Sequence, residues 1–412
     1  MTVTLGRRPA PLEGRERDLM QGILPLEMQA KDFRMVSDTA GKIREVFLGA
    51  SNPTFLQAQL SLIRQMDPDV RFTVFAGRTL SKAHFTAAVK QAAIENPGRV
   101  VIHEINEGIS PWIRNNVMVL DSEIGPVLLP GLGNPPGYTE KLLKADNRFL
   151  RLNPRELESL PRQNGGDVIH STNATFVNAF TLGKKNPQKQ ATAHFLGANA
   201  IFVGENVKAR GFDYKDLGDL DMWIAAAPPA LEKGRLVDKT VFLADPMKAL
   251  EVVDRMDEIG YKAFQDRVLR MYGITGPEDE YYGEFARHLT RSKVRRENTA
   301  ASRALEGVKP QLASLGFRVA GLPHLNLMDA RISLTYCNSL AESFISADGS
   351  HVNNRYMPVY GIKALDDEAA GAYRQEGYEV RGIEGLAQVL ELKGSLRCIT
   401  TVVSRSPYRR MT

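Results

Sequence analysis

The sequence predicts an α/β protein made of several similar modules in one folded body. Short apolar runs typical of strands alternate with helical patterns to the end of the chain. No Pro-, Ser- or Gly-rich stretch is long enough to act as a linker between domains. The chain has 412 residues, of which 43% are hydrophobic and 25% are charged, and these proportions exclude a disordered or fibrous protein.

The first half of the chain begins with a β-α-β-α-β pattern. Its predicted elements, in order, are a strand at 44–50, a helix at 54–66, a strand at 71–77, a helix at 81–95, a strand at 99–105, and paired strands at 116–121 and 125–130. The Gly/Pro-rich segment 131–137 follows. Its two prolines remove amide donors that a phosphate would need, so it is predicted to be an ordinary loop.

The second half repeats the alternation. Its predicted elements, in order, are strands at 168–178, 200–206, 222–227 and 239–245, a helical region at about 247–314, strands at 317–322, 332–342 and 357–361, a helix near 366–376, a strand at 378–383, a helix near 384–391 and a strand at 396–404. The modules are similar in structure only, because no clear sequence repeat is present.

The alternation predicts a single domain at 41–405, preceded by a leader at 1–40 and followed by a tail at 406–412. The helical region at about 247–314 is predicted to be an insertion in this domain. It contains the charged amphipathic run 288–303, which indicates a solvent-exposed helix face. The alternative is a phosphate or RNA contact through this run.

Charge and cysteine content narrow the class of protein. The net charge of +5, from 53 Lys and Arg against 48 Asp and Glu, is too small an excess to indicate a nucleic-acid partner. Cys337 and Cys398 lie far apart in the sequence, which excludes a disulfide scaffold or a cysteine zinc site. Because no signal or membrane-spanning segment is present, we expect a cytoplasmic protein with no cofactor, no metal and no membrane partner.

The strongest motif lies near the C-terminus, at 353–400. It contains, in order, Asn354, the run Tyr-Met-Pro-Val-Tyr-Gly at 356–361, a helix, a Gly-x-x-Val strand at 377–380, and Gly-Ser-Leu-Arg-Cys-Ile-Thr at 394–400. This order resembles the C-terminal module of the pentein superfamily of guanidino-group-modifying enzymes. The superfamily includes agmatine deiminases, arginine deiminases, peptidylarginine deiminases and amidinotransferases.

Four upstream segments extend the resemblance over roughly residues 40 to 405. They are Ser-Pro-Trp-Ile-Arg-Asn at 110–115, Ser-Thr-Asn at 171–173, Leu-Gly-Asp-Leu-Asp-Met at 217–222 and Leu-Thr-Tyr-Cys-Asn-Ser at 334–339. The resemblance implies a five-module α/β propeller, the pentein fold, with pseudo-fivefold symmetry and an active site in the central channel.

The resemblance implies that Cys398 is a nucleophile that attacks the central guanidino carbon of the substrate. The family supplies an Asp at the position of Asn115 and a His at the position of Asp219, whereas Asp221 matches the family's Asp. On a strand, residues 219 and 221 point to the same side, so both carboxylates are expected to face the channel. Asp219 and Asp221 are therefore predicted to act with Cys398 in catalysis, by binding the substrate or taking part in proton transfer. A carboxylate in place of the imidazole raises the expected pKa of the thiol of Cys398.

Other side chains complete the predicted site. Trp112, Arg114, Asn115, Asn173 and Asn354 are predicted to contact the substrate because they lie in the matching segments. His170, just before the segment at 171–173, is a candidate for a relocated base. Because neighbouring strand residues point to opposite sides, we do not expect the side chain of residue 397 to assist the thiol of the next residue.

The sequence is compatible with two functions. The first is a divergent guanidino-modifying enzyme of the deiminase, dihydrolase or amidinotransferase type, which acts on arginine or a related guanidino or amidine compound through a covalent intermediate on Cys398. The alternative is an altered pseudoenzyme that binds a ligand without turnover. A homo-oligomer is compatible with both, and the sequence does not choose between hydrolysis and transfer.

Overall fold

The computed structural model describes most of the predicted domain. The described residues are 34–105, 110–121, 126–130, 141–142, 144–146, 165–179, 199–204, 218–232, 235–327, 332–387, 389 and 394–406. The predicted loop at 131–137, most of the predicted leader and tail, and part of the predicted helix near 384–391 lie outside these residues.

Strands and helices alternate along the described residues. The strands are β1 (Arg34–Met35), β2 (Ile43–Ala50), β3 (Arg71–Ala76), β4 (Val100–Glu104), β5 (Val117–Asp121), β6 (Val127–Pro130), β7 (Val168–His170), β8 (Thr175–Asn178), β9 (Ala200–Val203), β10 (Ile224–Ala226), β11 (Ala230–Glu232), β12 (Arg235–Val237), β13 (Thr240–Asp245), β14 (Arg318–Leu327), β15 (Ile332–Thr335), β16 (Leu340–Ile345), β17 (His351–Pro358), β18 (Glu379–Ile383) and β19 (Thr400–Arg405). The helices are α1 (Leu56–Gln65), α2 (Lys82–Gln91), α3 (Ile113–Asn116), α4 (Pro246–Asp254), α5 (Glu258–Met271), α6 (Tyr282–His288), α7 (Arg291–Leu305), α8 (Val308–Ser314) and α9 (Lys363–Gln375).

These strands pair into separate small sheets. In the described residues, the sheets have the strand orders β19-β2-β3-β4, β1-β5-β6, β7-β8-β9, β10-β13-β14-β15 and β16-β17-β18, and β11 pairs with β12 as a hairpin. Strand β19 runs antiparallel to β2, with Thr400 opposite Leu48. The end of the described chain is therefore hydrogen-bonded to its first long strand, and the α/β class predicted from the sequence is confirmed.

The predicted helical insertion connects two strands that are neighbours in a sheet. Helices α4 to α8 lie between β13 and β14, which pair in parallel with Thr240 opposite Arg318. Parallel neighbours need a crossover connection of a dozen or more residues, and these helices supply it. Most of the charged run predicted as a helix face, from residue 291 onward, belongs to α7, whose inner side buries Val294, Asn298 and Ala301.

Helix α1 shows how a helix is fixed on a sheet. It buries Ala58, Leu62 and Ile63 along one side, whereas Leu56 and Leu60, which the helical spacing of the sequence places with Ile63, are only partly buried. The buried Gln59 side chain donates from Nε2 to the Gly49 carbonyl at 2.9 Å, so a polar group on the apolar side is also satisfied. The helix is thereby held against the end of β2.

Four predicted strands are interrupted or shortened by turns. The predicted strand at 168–178 is divided into β7 and β8 by a hairpin turn at 171–174. The other three are interrupted or shortened by buried turns. The predicted strand at 332–342 is divided into β15 and β16 by a turn, and the predicted strand at 396–404 begins only at Thr400. The predicted strand at 222–227 begins at Ile224, after a 3-10 turn at Leu220–Met222. In these three turns, at 220–223, 336–339 and 396–399, every residue is buried and at least half are apolar, so their composition resembles that of a strand. These three turns carry the candidate active site.

No helix in the described part of the chain is both long and apolar enough to cross a lipid bilayer.

Candidate active site

Cys398 lies in the turn that precedes β19 and is 3% exposed. The Asn338 side chain holds this turn from the β15–β16 connection. Its Oδ1 accepts from the backbone amides of Arg397 at 2.6 Å and Cys398 at 3.4 Å, and its Nδ2 donates to Cys398 Sγ at 3.2 Å. One amide side chain therefore fixes both the backbone of the turn and the position of the thiol.

Asp221 faces the same sulfur from the 3-10 turn. Its Oδ1 lies 4.0 Å from Cys398 Sγ, and its Oδ2 accepts from Arg397 Nη1 at 2.7 Å. Residues 397 and 398 thus both point toward Asp221, and the expectation that they point to opposite sides of a strand is wrong because the backbone forms a turn there. The thiol of Cys398, the carboxylate of Asp221 and the guanidinium of Arg397 therefore form one buried row.

Asp219 immediately precedes the 3-10 turn, so the strand expected at residues 219–221 is also absent. Its Oδ2 accepts from Asn115 Nδ2 at 3.2 Å, which brings two predicted site residues into contact. A Cβ atom on Gly166 would lie 2.5 Å from the same Oδ2, so this close approach requires glycine. Asp219 is partly exposed, whereas Asp221 is completely buried.

Arg397 ties this row to Asp38, a residue of the predicted leader. Its Nη2 donates to Asp38 Oδ2 at 2.9 Å and to the Val168 carbonyl at 2.9 Å, and its Nε donates to Asp38 Oδ1 at 3.3 Å. The planar guanidinium therefore bridges Asp38 on one side and Asp221 on the other. This bridge fixes the carboxylate of Asp221 beside the thiol.

Arg114 supports the bridge from behind. It is 6% exposed, and its Nη2 lies 3.4 Å from Asp38 Oδ1 while its Nε donates to the Gly165 carbonyl at 3.1 Å. Its backbone amide donates to the Cys398 carbonyl at 3.2 Å. The contacts of Arg114 are thus with the protein, and they join α3 to the turn that carries the thiol.

The charges of the site act in opposite directions on its two buried carboxylates. Burial raises the pKa of Asp221 to about 6; Arg397 partly offsets this rise, and Asp219 adds to it. Burial also raises the pKa of Asp38, but the charges of Arg397 and Arg114 outweigh it and lower the value to about 2. Burial, then Asp221 and Asp219, raise the pKa of the Cys398 thiol well above its ordinary value, so the thiol of the free protein is protonated.

The other predicted substrate contacts lie around this row. Trp112 packs edge-on against Phe55 at 5.3 Å and covers Gly394, where a Cβ would collide with the indole ring. Asn354 is buried and donates from Nδ2 to Glu342 Oε1 at 2.8 Å. Both residues make contacts within the protein, and in the described part of the chain neither is hydrogen-bonded to Cys398.

His170 and Asn173 belong to the β7–β8 hairpin. The His170 amide donates to Asp38 Oδ2 at 2.8 Å, and its Nδ1 lies 2.8 Å from Thr175 Oγ1. Burial lowers the pKa of His170, so its imidazole is neutral at physiological pH. Asn173 is exposed, and its amide donates to Asp238 at 2.9 Å. The structure therefore brings together Cys398 with residues 219, 221 and 115, and leaves these two outside that group.

Two residues that organise the site were not predicted. Asn338 lies in a segment that resembles the family, but the sequence gives it no role; Asp38 lies in the leader. A polar Asn next to a cysteine inside an apolar run was the available signal for Asn338. In the described part of the chain, no group of three His, Cys, Asp or Glu side chains is arranged to hold a metal ion.

Comparison with solved structures finds this fold in deiminases. Agmatine deiminase of C. jejuni matches with a TM-score of 0.55 and 14% identity, covering 92% of this chain and 97% of that chain. A Cys-to-Ser variant of C. jejuni agmatine deiminase with substrate bound gives a TM-score of 0.54 at 14% identity over the same shares. A Porphyromonas gingivalis protein named as a candidate arginine deiminase gives 0.50 at 14% identity, covering 90% and 97%.

These structures show that the chain has the mixed α/β fold of the pentein deiminases, as the resemblance implied. No protein-family model matches the chain, and no curated protein sequence matches it.

Proposed function

We propose that this protein modifies a guanidino or amidine group through a covalent intermediate on Cys398. The observation that carries the proposal is the thiol of Cys398 with Asp221 Oδ1 at 4.0 Å, in a fold shared with agmatine deiminase. In the C. jejuni structure with substrate bound, a cysteine is replaced by serine, which is consistent with a reacting thiol in that enzyme. The substrate class proposed for this chain is arginine, agmatine or a related guanidino compound.

The charge of the site supports a cationic substrate. Three carboxylates, Asp38, Asp219 and Asp221, lie around two guanidinium groups, Arg114 and Arg397. Asp219 and Asp221 place two carboxylates on the side of the cluster that holds the thiol. A guanidinium is a single positive charge with planar N–H donors that match carboxylates, so these two groups suit a substrate of that kind.

A neutral thiol and a nearby carboxylate define the first step. Asp221 accepts the proton of Cys398, and the sulfur attacks the guanidino carbon to form an S–C bond. The tetrahedral intermediate collapses as one C–N bond breaks, and the leaving nitrogen takes a proton from the carboxyl of Asp221. This releases ammonia or an amine and leaves a covalent amidino group on the sulfur. Water would then attack the amidino carbon, break the S–C bond and give a ureido product with the free thiol, or a second amine would accept the amidino group in the same way.

The substrate itself assists the ionisation of the thiol. Two carboxylates, Asp221 and Asp219, raise the pKa of the Cys398 thiol, and the positive charge of a bound guanidinium opposes their effect. The pKa of the thiol is therefore lower when substrate is bound, and the thiol ionises more easily. Asp219 and Asn115 stand where the family has a His and an Asp, and their contact at 3.2 Å supports a joint role in holding the guanidinium. Free enzyme would then keep its thiol protonated and unreactive.

We also propose that the five sheets are the five modules of an α/β propeller with pseudo-fivefold symmetry. The five sheets of three or four strands and the pairing of β19 with β2 support this arrangement. An experimental structure would test it directly, and five blades around one channel are expected.

The nucleophile can be tested without knowing the natural substrate. Chloroacetamidine and iodoacetamide both alkylate thiols, but only the first is a cation at neutral pH. We expect chloroacetamidine to label Cys398 faster than iodoacetamide does, because the carboxylates attract the amidinium and its charge assists ionisation of the thiol. Intact-protein mass spectrometry after each reagent, followed by peptide mapping, measures the two rates.

Cys337 provides the matched control. It is 2% exposed, and burial raises the pKa of its thiol, as it does for Cys398. Cys337→Ala should keep the adduct and turnover of guanidino compounds, whereas Cys398→Ala should lose both. Equal labelling of both cysteines, or an unchanged rate of turnover in Cys398→Ala, would remove the proposed nucleophile.

The alternative function is a binding protein that keeps the site without turnover. The raised pKa of Cys398 and the carboxylate in place of the family's His favour it. Saturable binding of agmatine or arginine, with no adduct on Cys398 and no product from any guanidino compound, would support this alternative over the enzyme.

A further inference from the structure

A groove outside the active site is lined by three arginines. It lies between α1, α5 and the segments that follow β17 and β18, and its volume is about 410 Å³, within the range of small-molecule sites. The arginines are Arg64, Arg267 and Arg270. Among the described residues, Glu384 is the single acidic residue that lines the groove, so three positive charges face one negative charge.

Arg267 is fixed in the groove by the backbone after β17. Its Nε donates to the Tyr360 carbonyl at 2.7 Å, and its guanidinium lies flat against Gly361, where a Cβ would be 2.7 Å from Nη2. Gly361 has a φ of +74°, a conformation that favours glycine. Among the described residues, no hydrogen-bond acceptor or carboxylate contacts Nη1 or Nη2 of Arg267, so the N–H donors of these two groups are positioned to bind a ligand.

Arg64 and Arg270 complete the basic wall. Both are exposed and lie in the last turns of α1 and α5, where the helix dipole favours a cation. The helix dipole explains why a basic residue lies at each helix end, but it does not provide a negatively charged side chain to pair with these arginines. In the described residues, no carboxylate lies within ion-pair distance of these two side chains or of Arg267.

The remaining lining is mixed. Met271, Val359 and Ala387 provide apolar surface, while Gln57 and Ser61 provide polar groups. Ser61 Oγ accepts from the Glu384 amide at 3.0 Å, which joins α1 to the segment after β18. Arg64 and Arg267 each donate from Nε to a backbone carbonyl, of Ala92 at 3.3 Å and of Tyr360 at 2.7 Å. An apolar wall beside guanidinium groups that have no carboxylate partner among the described residues suits a ligand with both a charged and an organic part.

We infer that this groove binds a small organic phosphate monoester. A phosphate monoester carries close to two negative charges at neutral pH, which equals the excess positive charge of the lining, and its oxygens match the forked donors of arginine. The organic part contacts the wall formed by Met271, Val359 and Ala387. This site is independent of Cys398 and of the proposed reaction.

Calorimetric titration of the full-length protein with phenyl phosphate tests the inference. We expect saturable binding of one molecule per chain, about tenfold weaker for Arg270→Gln and undetectable when Arg64→Gln is added, because each change removes a charge-assisted contact. Inorganic phosphate and succinate, titrated in the same buffer, should bind more weakly than phenyl phosphate. Cys398→Ala should bind phenyl phosphate as the unmodified protein does.

Arg374→Gln is the matched control. Arg374 is an exposed arginine in the last turn of α9 and does not line the groove, so its removal makes the same charge change elsewhere. Binding should change less than twofold in this variant. Absence of saturable binding, an equal loss in Arg374→Gln, or succinate or inorganic phosphate binding as tightly as phenyl phosphate would overturn the inference.

Discussion

The two carboxylates on either side of Arg397 have opposite electrostatic environments. Asp38 contacts Arg397 and Arg114 and accepts from the His170 amide, and its pKa is lowered to about 2. Asp221 shares Arg397 but faces Asp219 and a thiol, and its pKa is raised to about 6. A buried carboxylate that contacts several donors stays ionised and stabilises the fold. A buried carboxylate with fewer donors has a pKa closer to neutral and can exchange a proton.

This contrast indicates that the Asp38 side of the Arg397 guanidinium stabilises the fold and that the Asp221 side takes part in the reaction. The Asp38 side contains donors from β7, α3 and the turn before β19, so it joins segments that are distant in sequence. The Asp221 side contains the sulfur and Asp219, and its carboxylate is costly to ionise. Substitutions on the two sides should therefore separate stability from reactivity.

The largest expected effect is on reactivity in Asp221→Asn. The amide cannot accept the proton of Cys398, so we expect labelling by chloroacetamidine, and turnover of any guanidino substrate, to fall about 10³-fold, within the usual range for a general base. The urea midpoint should change little, because burial already makes the charge of this residue unfavourable. Labelling rates and urea unfolding of the same preparation provide both measurements. Full reactivity in Asp221→Asn would end the assignment of this residue as the base.

The second effect is on stability in Asp38→Asn. Two buried arginines lose their shared negative charge, and removal of one partner of a buried ion pair costs about 3–5 kcal/mol. Urea unfolding monitored by circular dichroism measures this loss. Asp238→Asn is a comparison variant, because the hydrogen bonds that Asp238 accepts within the described part of the chain all come from the 171–173 turn. A smaller loss for Asp38→Asn than for this variant would contradict the structural role.

The same substitution has a defined pH dependence. The pKa of Asp38 is about 2 when folded and 3.8 in its unperturbed state, so its contribution to stability is complete above about pH 5 and is lost progressively as the pH falls from there through 2. The unfolding free energies of the unmodified protein and Asp38→Asn should therefore approach each other as the pH falls from about 5 to about 2. A constant difference over that interval would show that the ionised carboxylate is not the source of the stability.

The third effect concerns Arg397 itself. Lysine keeps the positive charge but cannot contact Asp38 and Asp221 with a planar fork, so Arg397→Lys should cost about 1.5–3 kcal/mol of stability. The pKa of Asp221 should also rise, since its charged partner is further away. The labelling rate by chloroacetamidine as a function of pH measures this shift. Unchanged stability and an unchanged pH profile would show that the bridge is not required.

The sequence could predict the reacting groups better than the groups that position them. Cys398 and Asp221 lie in local motifs, and the structure brings them together. The sequence predicts that residues 219 and 221 lie on one side of a strand. Both do lie near the thiol, but a 3-10 turn rather than a strand brings them there, so the predicted location is correct and the predicted backbone conformation is wrong. Local apolar composition cannot distinguish a buried turn from a buried strand.

The positioning residues were hidden for a different reason. Asn338 and Asp38 contact the turn of Cys398 from segments 60 and 359 positions away, and no local spacing records such contacts. The break between β15 and β16 at Asn338 was also missed, because the preceding Tyr336 and Cys337 continue the apolar pattern of a strand. Alternation of strands and helices was predictable because each element has its own periodicity.

The smallest expected effect is a shift in the pH dependence of the thiol's reactivity. Asp219 raises the pKa of Asp221, so Asp219→Asn should lower it by less than about one unit. Because the base must be ionised, labelling of Cys398 by chloroacetamidine rises with pH through about 6 in the unmodified protein, and this rise should move to lower pH in Asp219→Asn. Asn115→Asp adds a carboxylate in contact with Asp219 and should move the rise to higher pH. Opposite shifts from these two changes would connect the charge of this pair to the base. Shifts in the same direction would mean that Asp221 does not control the ionisation of the thiol.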